Sequence, residues 1–69
     1  MSVMEEVRKA VLKSKFDKAT KLQEIKNGFG EVVTPPYIRT CLSIIASQES
    51  VKINTRLDNG KLVFVKGVK

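Results

Sequence analysis

"TPPYIRTCLSIIASQESVKINTRLDNGKLVFVK", residues 34–66, changes its hydrophobic period midway, and that change decides the fold. Up to Gln48 the period is helical: at about 100° per residue, Ile38, Cys41, Leu42 and Ile45 share one face. Thr34 is placed to cap the first turn, and Pro35 and Pro36 stand where backbone N–H groups have no intrahelical partner anyway. From Val51 onward the pattern alternates. Val51, Ile53, Thr55 and Leu57 point one way, Lys52, Asn54 and Arg56 the other, and Asn59-Gly60 is a strong hairpin-turn signal. A two-residue turn sets Leu57 opposite Leu62 and Thr55 opposite Phe64; a three-residue loop including Asp58 shifts these partners by one, and the sequence leaves both open. The expectation is a helix over 35–48 and a two-stranded hairpin over about 51–66.

The outward side of that helix is unusual. It carries Pro36, Thr40, Ser43 and Ser47, edged by Arg39, where a solvated face would carry Lys and Glu. Small hydroxyl-bearing residues and one guanidinium allow a partner to approach closely. Tyr37 and Ile44 share a flank between the apolar and outward sides.

Working back from Thr34, Val3, Met4, Val7, Ala10 and Val11 make one face of a helix over 2–15, with Ser2 as N-cap and Glu5 and Glu6 near its positive end. Leu12 falls on the other side of this helix. Ala19, Leu22, Ile25 and Phe29 share a second helical face, with Lys21 and Glu24 opposite, which predicts a short helix over 18–29 stopped by Gly28 and Gly30. Arg8, Lys9, Lys13, Lys15, Lys18 and Lys21 interleave with acids in this half and read as solvating charges.

A chain of 69 residues with 42% hydrophobic content forms one small domain, 1–69, with a modest core. It has no His and one Cys, so a disulfide within the chain, the common zinc ligand sets and imidazole chemistry are excluded. No cofactor or metal is expected. Cys41 lies on an apolar helix face and reads as a small buried hydrophobe. Without a positioned base, nucleophile or metal cluster, the chain is not expected to be an enzyme. No apolar run approaches the roughly 20 residues of a membrane span, and no secretory signal pattern opens the chain, so a cytoplasmic protein without membrane contact is expected. The formal charge of +6, 13 Lys+Arg against 7 Asp+Glu, favours an anionic partner such as nucleic acid.

Three short helices followed by a basic hairpin resemble the winged helix-turn-helix family. The matching pieces are "KATKLQEIKNGFG" as the first helix of the motif, "TPPYIRTCLSIIASQ" as recognition helix and "VKINTRLDNGKLVFVKG" as wing. The connection from Asn27 to Thr34 is longer than the tightest helix-turn-helix allows, and the recognition helix holds one basic residue. The resemblance implies a small α+β domain of three helices and a two-stranded antiparallel wing, acting as a DNA-binding transcriptional regulator. It implies base contacts from Pro36, Arg39, Thr40, Ser43 and Ser47 in the major groove, and backbone contacts from Tyr37, Lys52, Arg56, Lys61 and Lys66. Duplex DNA is the expected partner, with a homodimer open. The alternative is a protein-binding adaptor, such as a phage or mobile element uses to inhibit a host enzyme or polymerase, working through the same helix face or through Leu12 and Ile44.

Overall fold

The computed structural model describes residues 2–69. Its order is α1 (Val3–Lys13), β1 (Ala19–Lys21), α2 (Pro35–Glu49), β2 (Val51–Asp58) and β3 (Lys61–Val68), an α+β fold of two helices and one three-stranded antiparallel sheet.

Helix α1 begins as its sequence predicts, with the Ser2 hydroxyl accepting the Glu5 N–H at 3.2 Å and two glutamates in the first turn. It ends at Ser14, whose N–H donates to the Ala10 and Val11 carbonyls and whose hydroxyl donates to Val11 O at 2.6 Å.

The expected helix over 18–29 is absent; its place is taken by β1 and a looped segment. Asp17 turns the chain with a positive φ of 62°, and Ala19, Thr20 and Lys21 then pair with Val65, Phe64 and Val63 of β3. The pairing runs on to Leu22, whose N–H donates to Leu62 O at 2.9 Å. A strand partner supplied from far along the chain overrides a weak local helical preference. Leu22 and Ile25 still reach the core, whereas Ala19 and Phe29 do not. Beyond Ile25 the chain folds back as a small loop closed by a Lys26–Val32 bridge and by Val33 N–H donating to Ile25 O at 2.8 Å. Asn27 organises the loop: its side-chain oxygen accepts from the Phe29 and Glu31 N–H groups at 2.8 and 3.1 Å. Gly30 takes the left-handed conformation, φ 80°, that closes the loop.

Helix α2 starts at the two prolines, but the Thr34 hydroxyl makes no cap bond. The Thr34 carbonyl accepts from Tyr37 and Ile38 instead, and prolines at the first two positions lower the number of N–H groups a cap must satisfy. The helix stops at Ser50 in the left-handed region, whose N–H donates to the Ala46 and Ser47 carbonyls. Arg8 of α1 donates a hydrogen bond to the Gln48 side chain across the two helices.

The hairpin adopts the two-residue turn. Asn59 and Gly60 both have positive φ, 53° and 77°, as a type I′ turn requires, and Leu57 pairs with Leu62, Thr55 with Phe64. In the sheet order β1-β3-β2 the last strand is central, which explains why "LVFV" lacks alternation. Leu62 and Phe64 point into a core shared with Val7, Val11, Leu22, Ile25, Ile38, Cys41, Leu42 and Ile45. Val63 is only 3% exposed yet lies outside that cluster, on the other face. Register places Lys21 and Arg56 on either side of it, and their aliphatic stems are long enough to cover it.

Candidate nucleic-acid interface

Because Ile38, Cys41, Leu42 and Ile45 anchor α2 in the core, the helix must present the opposite side outward, and Pro36, Arg39, Thr40, Ser43 and Ser47 are all exposed on it. Thr40 donates its hydroxyl to the Pro36 carbonyl at 3.2 Å, one turn back, leaving its oxygen free to accept. Arg39 is the one cation of this stripe. Tyr37 and Ile44 are exposed on the flank, as is Leu12 on α1.

Strand parity settles where the hairpin's charges lie. Lys52, Asn54 and Arg56 on β2 and Lys61 on β3 project from the sheet face opposite Leu62 and Phe64, and all four are exposed. Lys52, Arg56 and Lys61 form no side-chain ion pair or hydrogen bond among the described residues. Since α2 packs on the core face of the sheet, these cations project from the side of the sheet turned away from α2. Lys21 adds a fourth cation to the face: it is aligned with Val63, which is aligned with Arg56.

Lys66 departs from the role that the resemblance implies for it. Instead of standing outward toward DNA phosphates, its side chain is on the core side, 7% exposed, with Nζ donating to Val11 O at 2.9 Å and lying 4.6 Å from the centre of the Phe16 ring. The ammonium serves the negative C-terminal end of α1. Its parity with Leu62 and Phe64 is the sequence signal that identifies it.

Phe29 departs likewise from its helical spacing. In place of a buried helix face it takes the tip of the 25–33 loop and is 90% exposed. Val32 and Tyr37, also exposed, line a shallow groove of about 250 Å³ with Val3, Asn27 and Thr34. Cys41 is buried, and desolvation pushes its thiol pKa up, which disfavours the reactive thiolate. Among the described residues no three His, Cys, Asp or Glu side chains gather as a metal cluster, and no helix is long and apolar enough to cross a membrane.

Compared with family models, with curated proteins by sequence and with solved structures by fold, the chain matches none.

Proposed function

We propose that the chain is a non-catalytic duplex-DNA-binding module acting in transcriptional control, which presents α2 and a basic hairpin without the first helix of a helix-turn-helix. The observation that carries this reading is the exposed stripe of small hydroxyl-bearing residues and Arg39 on α2, in a chain whose hairpin also exposes the unpaired cations Lys52, Arg56 and Lys61. Arg39 and Thr40 offer a guanidinium and a hydroxyl to base edges, and Pro36, Ser43 and Ser47 keep the helix surface low enough to enter a major groove. Lys61 beside the turn, with Arg56 and Lys52 on β2, offers cations to the phosphates of a bound duplex.

Selection of bound sites from a random duplex library tests the reading, followed by Arg39→Ala and Thr40→Ala on the enriched site. Loss on the order of 1–3 kcal/mol on that site, and much less on mixed sequence, is expected of base-facing residues. Equal binding of every duplex by parent and variants would remove α2 from the groove. A second reading, a protein-binding adaptor, is favoured by one observation: exposed Val32 and Tyr37 line a groove with Thr34 at the start of α2. It predicts that Val32→Ser abolishes capture of a defined protein while leaving DNA affinity alone.

A further inference from the structure

The cations that read as solvating charges in the sequence are gathered by the fold. The C-terminal half of α1 and the segment from residue 18 to residue 25 enclose an open groove of about 580 Å³. Lys9, Lys13, Lys15, Lys18 and Lys21 line it, against the two carboxylates of Glu6 and Glu24. We propose that this groove is a second phosphate-binding surface, distinct from α2, and that its occupant is the backbone of a nucleic acid. The inference rests on the DNA-binding reading for the identity of the polymer, but not on α2 as the groove reader.

Two ordinary roles do not account for Lys13, Lys15, Lys18 and Lys21. Basic side chains at a helix C-terminus commonly serve its last carbonyls, yet the Ala10 and Val11 carbonyls accept from Ser14, and Val11 also accepts from the buried Lys66 ammonium. Ion pairing is the other role, and Lys13, Lys15, Lys18 and Lys21 form no side-chain ion pair or hydrogen bond among the described residues. What remains is a concave surface dominated by one sign, where like charges repel until a polyanion arrives.

Charge density favours a nucleic acid over an acidic peptide as that polyanion. A duplex carries one charge per about 1.7 Å of axis, whereas a fully acidic extended peptide carries one per roughly 3.3–3.6 Å. The denser charge of the duplex condenses more counterions, and their release on binding adds a larger driving force. Lysine suits such a surface, because a compact charge on a flexible stem follows a backbone without demanding the planar geometry of a base edge. Lys21 continues the path, since register sets it in line with Val63 and Arg56 on the outer sheet face. A backbone leaving the groove therefore meets the hairpin's cations next.

The test uses the full chain and a mixed-sequence DNA duplex, with anisotropy titrations across a salt series. The Lys13→Gln, Lys15→Gln, Lys18→Gln variant should flatten the log–log salt slope by up to about 0.9 per lysine in contact, alike for every sequence, with melting unchanged because all three side chains are exposed. Arginine at the same three positions should restore the slope. An unchanged slope in the glutamine variant overturns the groove while leaving DNA binding through α2 intact. A flattened slope together with unaffected binding by the Arg39→Ala, Thr40→Ala variant upholds the groove and removes α2 from the interface. A parent that binds no duplex at low salt overturns both. Polyglutamate bound as tightly as the duplex at equal salt overturns the nucleic acid as occupant.

Discussion

Replacing Lys66 with Met separates the structural lysine from the surface ones. The variant keeps the aliphatic stem and its burial but deletes the bond from Nζ to Val11 O, made at 2.9 Å across 55 residues of chain, and the placement over Phe16. A hydrogen bond involving a charged group contributes about 1.5–3 kcal/mol, and a cation over a half-exposed ring adds roughly 0.5–1 kcal/mol. Two effects reduce the loss. Val11 O is not orphaned, since Ser14 still donates to it through N–H and hydroxyl. Removing the ammonium also returns part of the cost of taking it out of water. The expected net loss is about 1–2 kcal/mol, a fall in Tm of roughly 4–16 °C for a domain of this size. Urea and thermal unfolding followed by circular dichroism measure it. A double-mutant cycle with Phe16→Leu should show coupling of about 0.5 kcal/mol or more. On folded protein the salt slope of DNA binding should match the parent. Unchanged stability with a slope flattened as in Arg56→Ala would refute the burial argument and return Lys66 to the phosphate-contacting set.

Phe64, fully buried at the centre of the sheet, should cost about 3–5 kcal/mol on truncation to Ala, most of the roughly 3–10 kcal/mol available to a domain of this length, so Phe64→Ala should be largely unfolded by circular dichroism at 37 °C. Phe29→Ser should leave unfolding within about 0.5 kcal/mol of the parent, because its ring is almost wholly exposed; a loss of several kcal/mol would mean that the ring is buried after all. Burial raises the Cys41 pKa above the unfolded value, so its contribution to stability, relative to the thiolate form, changes only at alkaline pH: stability is fully present below about pH 9 and is lost as pH rises through the folded pKa. Cys41→Ala should reduce that alkaline loss in urea titrations at a series of pH values.

Helix α2, its buried residues, the hairpin and its turn were legible because each rests on local information. The positions of Ile38, Cys41, Leu42 and Ile45 repeat at the helical period, and Asn59-Gly60 suits a turn with positive φ at both central residues. The outward stripe of α2 follows from the same period, which is why its five residues are all exposed. The two-residue register, open in the sequence, was decided by the pairing of Leu57 with Leu62. The segment from Ala19 to Phe29 reads as a helix because Ala19, Leu22, Ile25 and Phe29 repeat at the helical period, whereas only Leu22 and Ile25 reach the core, from the end of a short strand and the loop after it. What separates these alternatives is whether residues 19–21 find a hydrogen-bonding partner, and that partner is β3, far along the chain at residues 63–65. The same long-range pairing makes β3 central and places Val63 between Lys21 and Arg56; Lys66, on the other face of β3, reaches the end of α1. Local period and turn chemistry thus determined which residues can be buried and where the chain reverses. Only tertiary pairing decided which backbone groups satisfy one another, and so which charges stand together on the surface and which one is taken inside.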